Sequence, residues 1–225
     1  VHGPRAASVI EAAISLRTNA DAAATTDTDR LANWPQYRNA RAEFAATSVV
    51  VVRIDQLGVP GFTAYVEAAR EADLVSAIER AGAQRVTDPA LDAARVEAGY
   101  PIFGIDMDDD IIPLEAGIES RAISLTKGCY VGQEVIIRVL HRGHGRVVRR
   151  LVGLRLDDGV LPARGTRVHA GGRDVGFITS AAESPRLGTI SLAYVHRDFN
   201  EPGTNVEVES GGGGTGATVS APPFA

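Results

Sequence analysis

The feature that most restricts the fold of this chain is a change of hydrophobic period near Arg146. Val147, Val148, Leu151, Val152, Leu154 and Leu156 open a series of short apolar stretches that continues near residues 166–169, 175–180, 190–195 and 205–208. Gly, Pro or Asp punctuates the gaps, and Gly171-Gly172 marks a predicted hairpin. Evenly spaced strands with no helical pattern between them predict a small antiparallel barrel or sandwich over 146–209. Residues 210–225 are rich in glycine and lack a packable face, so a disordered tail is expected there.

Before that switch, helical and strand periods alternate. Residues 1–16 read as a strand end, a Gly3-Pro4 turn and a helix with Ala6, Val9, Ile10, Ala13 and Ile14 on one face. Residues 19–29 read as a mobile loop, and Tyr37, Arg41 and Phe44 are compatible with one helix face. Val49-Val50-Val51-Val52 predicts a buried strand, Gly58-Val59-Pro60-Gly61 a turn, and 62–67 a returning strand. A helix over 71–81 with Leu74, Ala77 and Ile78 inward ends at Gly82, and Asp88-Pro89 opens another that runs toward Gly99. This order predicts an α+β layer over 1–145.

Composition narrows the class of protein. With 44% hydrophobic and 23% charged residues the chain is that of an ordinary globular protein, and its net charge of -5 supplies no global attraction to nucleic acid or anionic membranes. A single cysteine excludes an internal disulfide. No apolar run reaches the length of a membrane span, and a cytoplasmic location is expected.

That cysteine, Cys129, lies two residues from the only lysine, Lys127, in Lys127-Gly128-Cys129-Tyr130-Val131-Gly132-Gln133-Glu134. Lysine offers a compact ammonium that arginine does not, and a thiolate is favoured beside such a cation and ahead of a helix start. Val131, Val135, Ile136 and Val139 at helical spacing predict that helix from about Gly132, although the β-branched pair Ile136-Ile137 also suits a strand. A reactive thiol and a small buried cysteine in a tight turn are both compatible with this segment.

The octapeptide 127–134 resembles the signature of the YgfZ-type folate-binding proteins, relatives of the glycine-cleavage T-protein (aminomethyltransferase). The resemblance continues upstream through Arg95-Val96-Glu97-Ala98-Gly99-Tyr100-Pro101, Phe103-Gly104, Asp106 and Pro113-Leu114-Glu115-Ala116-Gly117. Downstream it runs through Gly176-Phe177-Ile178-Thr179-Ser180, Ser184-Pro185 and Ala193-Tyr194-Val195. It implies a T-protein-like folate-binding α+β domain followed by a small antiparallel β-barrel. The α+β domain would be incomplete at its N-terminus, since the family has a strand-and-helix portion before the point where Val1 stands.

The resemblance also implies tetrahydrofolate or a related folate as cofactor. Arg95, Glu97, Tyr130, Gln133 and Glu134 are the implied folate contacts, with Cys129 and Lys127 as the reactive pair. The implied role is an accessory protein, rather than a classical enzyme, that supports iron–sulfur cluster assembly or repair and through it tRNA modification. Cluster proteins would then be transient partners, because a cluster ordinarily needs about four thiolate-type ligands and Cys129 supplies one. Two alternatives stay open: a tetrahydrofolate-dependent aminomethyltransferase, and an interaction module with a vestigial folate pocket. In the T-protein a Gly-Glu-x-Gly acid clamps the pterin, whereas this chain has Val59 in Gly58-Val59-Pro60-Gly61, which weakens the transferase alternative.

Two charged segments receive bland readings. Arg138, His141, Arg142, His144, Arg146, Arg149 and Arg150 form a basic stretch without interleaved aromatics, so direct RNA binding is not expected and a solvated entry to the barrel is. Its two histidines lack accompanying ligands, and no metal site is predicted. Asp106, Asp108, Asp109 and Asp110 lack calcium-loop spacing and are read as a hydrated acidic loop.

Overall fold

The computed structural model describes residues 1–16, 30–142, 145–210 and 213–224. The chain divides into two compact units, Val1–Asp88 and Pro89–Ala225. The first compact unit ends before the change of period at Arg146, and the helical segments from Pro89 onward are in the same unit as the barrel. The loop expected over 19–29 lies outside the described residues, as does His144.

In the first unit, helix α1 (Ala6–Ala13) and helix α2 (Glu71–Arg80) accompany an antiparallel sheet. Its strands are β1 (Ser15–Leu16), β2 (Asn39–Phe44), β3 (Thr47–Arg53) and β4 (Phe62–Tyr65), in spatial order β1-β2-β3-β4. Ile10 and Ile14 of the α1 segment, Val49 and Val51 of β3, Phe62 and Leu74 share one core. Burial alternates along β3, with Val49 and Val51 inside and Val50 and Val52 half-buried, so one face of this strand is covered more fully than the other. The segment compatible with a helix through Arg41 is strand β2 instead. Its pairing with β3 aligns Ala42 with Val49, and tertiary pairing overrides the local helical spacing.

The second unit is built on a closed antiparallel barrel of order β10-β5-β8-β7-β6-β9. Its strands are β5 (Arg149–Leu156), β6 (Arg167–Ala170), β7 (Arg173–Ser184), β8 (Gly188–His196), β9 (Asn205–Ser210) and β10 (Gly213–Ser220). Gly171 and Gly172 join β6 to β7 with both φ angles positive, as a tight hairpin of that length requires. The barrel is the predicted architecture, and the predicted tail completes it. Thr215, Ala217 and Val219 of β10 are buried at alternate positions, pairing on one side with β9 and on the other with β5. The expectation of disorder over 210–225 is corrected for 213–220, which form a strand. Small residues suffice to close the barrel because neighbouring strands provide the bulk.

Strand β8 is buried on both faces. Ala193 and Val195 point into the barrel with Val168, Ile178 and Val208. Ile190, Leu192 and Tyr194 instead lie under helix α3 (Asp88–Glu97), together with Ala93, Val96 and Phe224. Near the chain end, the Phe224 amide donates to the Glu97 carbonyl at 2.9 Å, and the Phe224 ring occupies the space that a side chain at Gly153 would fill. This packing fixes α3, and with it Arg95, on the outer wall of the barrel. Two further helices, α4 (Glu119–Ala122) and α5 (Gln133–Arg142), follow before β5.

Candidate functional site

Arg95 is in the last turn of α3 and 4% exposed, so its charge must be answered within the protein. Nε and Nη2 donate to Asp92 Oδ1 at 2.8 and 2.6 Å, Nη1 to the Tyr100 carbonyl at 3.0 Å and to Asp106 Oδ2 at 2.7 Å, and Nη2 to Ser180 Oγ at 2.8 Å. A guanidinium has five N–H donors, and these five bonds use all of them. Arg95 is thereby tied to the loop after α3 and to strand β7.

Asp106 is the reciprocal centre. Its Oδ2 accepts from Arg95 and from the Ile102 amide at 3.0 Å, while Oδ1 accepts from Thr179 and Ser180 hydroxyls, each at 2.6 Å. A carboxylate has about four acceptor positions, so Asp106 is saturated as well. The residue is 2% exposed, and its reading as part of a hydrated acidic loop is corrected. Asp108, Asp109 and Asp110 are exposed as expected. The signal available in the sequence was the neighbourhood of Gly104 and Asp106 to Arg95, together with Thr179-Ser180 in a strand, four polar side chains whose mutual contacts only the fold reveals.

Glu97 faces a different part of the barrel. Ser184 Oγ donates to its Oε1, and Arg186 Nη2 donates to Oε2 at 3.3 Å, which fastens α3 to the β7–β8 turn. Arg95 and Glu97, two residues apart, thus serve separate contacts.

The octapeptide forms a turn leading into α5. The Gln133 amide donates to the Tyr130 carbonyl, and the Tyr130 amide donates back to Gln133 Oε1, both at 3.3 Å. This reciprocal pair resembles a capping box and assigns Gln133 a part in closing the turn. Gly132, with φ 87, makes the reversal that a larger residue would resist. Glu134 lies in the first turn of α5, where a carboxylate complements the helix dipole. Lys127 Nζ stands 5.0 Å from the centroid of the Tyr130 ring, and Cys129 is exposed. Exposure removes the alternative of a buried structural cysteine.

The predicted apolar stripe of this helix is only partly covered. Ile136 is buried and Val139 half-buried, while Val135 is 47% exposed and Val131, which precedes α5, is fully exposed. In the basic stretch, Arg149 pairs with Glu115 at 3.4 Å and Arg150 with Glu119 at 2.6 Å, which spends two of its charges on the protein itself. Among the described residues no group of three or more His, Cys, Asp and Glu side chains is arranged to hold a metal ion. No helix among them is long and apolar enough to cross a membrane.

A model of the GCVT N-terminal domain matches residues 1–127, and a model of the glycine cleavage T-protein C-terminal barrel domain matches residues 149–225. The chain belongs to the glycine cleavage T-protein family. It is 33% identical over 231 residues to the aminomethyltransferase of Saccharopolyspora erythraea, covering 100% of this chain and 58% of that protein. With the aminomethyltransferase of Shouchella clausii it shares 36% identity over 186 residues, 80% of this chain and 50% of that protein. The chain thus spans about half the length of the curated relatives it matches. The crystal structure of the glycine cleavage system aminomethyltransferase T from Bartonella henselae shares the fold, with a TM-score of 0.70 at 22% identity over 79% of this chain and 50% of that one.

Membership of the T-protein family accords with the expected α+β region followed by a β-barrel. The expected lean away from an enzyme finds no support in it, because these relatives are named as enzymes. Residues 128–148, which include Cys129, fall between the two matched segments, so neither match speaks to the octapeptide as a whole.

Proposed function

We propose that the chain is the tetrahydrofolate-handling part of an aminomethyl-transferring protein. The observation that carries this reading is the similarity to aminomethyltransferases along the whole of the chain. In this reading the barrel and α3 form a rigid wall for the folate, and the saturated Arg95–Asp106 centre holds that wall in place. Arg95 would answer a folate carboxylate by releasing Asp92, the partner whose side chain is 46% exposed, while its bonds to Asp106 and Ser180 keep the guanidinium anchored. Glu97, Tyr130, Gln133 and Glu134 remain proposed folate contacts from the family resemblance. Incubating the full-length gene product with an aminomethyl donor and tetrahydrofolate, and measuring methylene-tetrahydrofolate, tests the reading. Turnover supports it; folate binding without turnover contradicts the transferase step, and absence of binding favours an interaction module.

A second reading rests on the octapeptide and on the exposure of its cysteine. Here the protein binds folate and supports iron–sulfur cluster proteins through transient contact at Cys129, with Lys127 as the neighbouring cation and tRNA-modifying cluster enzymes as clients. A single thiol can exchange with or briefly share a cluster but cannot hold one. Replacing Cys129 with serine and assaying a cluster enzyme in cells separates the readings: loss of that activity with methylene-tetrahydrofolate formation intact favours the second.

A further inference from the structure

Beside the Arg95–Asp106 centre, the second unit contains a cavity of about 130 Å³ between the loop after α3 and the barrel wall. Its polar walls are Asp106, Asp108, Arg164, Thr179 and Tyr194, with Phe177 among the apolar ones. Two of the polar residues are already engaged within the protein. Asp106 already accepts four bonds, and the Thr179 hydroxyl is placed toward Asp106 and the Leu192 carbonyl. Tyr194 is the exception. It is 0% exposed, and its hydroxyl has no hydrogen-bond partner among the described residues.

A buried phenol without a partner is an energetic liability that a ligand can relieve. The charges around it restrict which ligand. Burial, and then the carboxylates of Asp106, Glu115 and Asp108, push the phenol's ionisation upward, which places the hydroxyl in a negative field hostile to a simple anion. Arg164 on the rim and Arg149, whose guanidinium stands 5.4 Å from the Tyr194 ring centroid, oppose a simple cation. On the exposed rim, Asp108 and Arg164 present one charge of each sign. Arg164 gives one bond to the Gly104 carbonyl at 3.1 Å and keeps further donors on its guanidinium. The volume equals roughly four waters at about 30 Å³ each. A neutral, bipolar molecule of glycine or alanine size fits within that volume and carries one charge for each of the two rim residues.

We propose that this cavity is a binding site for a small amino-acid zwitterion, with Arg164 taking its carboxylate, Asp108 its ammonium and the Tyr194 hydroxyl the remaining hydrogen bond. The site does not depend on the one-carbon reading above. Titration calorimetry of the chain with glycine tests it, with acetate and methylammonium as single-charge probes. Glycine should give saturable heat in the millimolar range, and each single-charge probe should bind at least tenfold more weakly. Tyr194→Phe should lose at least tenfold in glycine affinity while melting no lower than the parent, since it removes only an unpartnered hydroxyl. Should Tyr194→Phe fail to fold, Arg164→Gln on the exposed rim carries the test, with the same tenfold loss expected. Unchanged affinity in the folded variant, parity of acetate or methylammonium with glycine, or no saturable heat at all would overturn the assignment.

Discussion

Asp106→Asn is the most informative single substitution for the stability of the second unit. Asp106 is 2% exposed and joins α3, the following loop and β7 through Arg95, Ile102, Thr179 and Ser180. Asparagine keeps the shape and one acceptor oxygen, so the two hydroxyls retain a partner. Its amide nitrogen, however, is a donor where Arg95 Nη1 and the Ile102 amide also donate. Arg95 would then stay buried, keeping Asp92 but losing its fully buried carboxylate partner. Removing one member of a buried pair costs about 3–5 kcal/mol. For a unit of this size that corresponds to a melting-point fall on the order of 10–20 °C. Circular dichroism melts and urea titrations measure the loss directly.

A control isolates the cause. Replacing both members, Arg95→Met with Asp106→Leu, removes the stranded charge and should recover much of the loss, because a packed apolar pair substitutes for a buried ion pair at little cost. Ser180 and Thr179 would lose an acceptor in the double variant, so recovery should be incomplete. An Asp106→Asn variant within about 1 kcal/mol of the parent would refute the claim that this centre anchors α3 to the barrel.

Three further outcomes follow from the packing. Ending the chain after Ser210 removes β10 and the buried Ala217, Val219 and Phe224, which should open the barrel between β5 and β9 and abolish a cooperative melt of the second unit. Gly176→Ala places a methyl 2.0 Å from the Tyr194 carbonyl oxygen, a backbone atom that cannot swing aside, and should lower stability by about 1–3 kcal/mol or more in urea titration. In the first unit, burial pushes the Asp55 carboxyl upward, but bonds from Arg53 and the Gly61 amide and the charges of Arg53 and His2 outweigh it and hold its ionisation below the ordinary range. A depressed folded-state value means that its contribution is present above pH about 4 and is lost as pH falls through that lower value. The stability difference between the parent and Asp55→Asn should therefore be constant near neutrality and shrink in acid.

How much of this was legible in the sequence differs by element. The strands of the barrel carry a period of two strong enough to read, and Gly171-Gly172 marks its hairpin. Strand β10 was missed because Gly213-Gly214-Thr215-Gly216 dominates the composition of its segment. The alternation of Thr215, Ala217 and Val219 was present but is carried by small residues with little apolar weight. Strand β2 was obscured for a related reason, since two of the residues on its covered face are the small Ala40 and Ala42, while Phe44 on the same face also fits a helix face with Tyr37 and Arg41.

The candidate site was legible as residue types and not as contacts. Arg95 was found, but its four partner residues lie between 3 and 85 positions away, and no local period connects Asp106 to Thr179 and Ser180. The same distance hid the difference between Arg95, turned inward to Asp106, and Glu97, turned to Ser184. The turn around Cys129 was the easier case. Its glycines and the following helix are contiguous in sequence, and the helix begins at Gln133, one residue after the predicted start.

The reading of the chain as part of a one-carbon transferase is tested most directly by product formation. The full-length gene product, supplied with an aminomethyl donor, should convert tetrahydrofolate to methylene-tetrahydrofolate with repeated turnover. It should lose most of that activity in Asp106→Asn at a temperature where the variant is still folded. Tight tetrahydrofolate binding with no methylene-tetrahydrofolate produced, together with loss of cluster-enzyme activity in Cys129→Ser cells, would contradict the transferase reading.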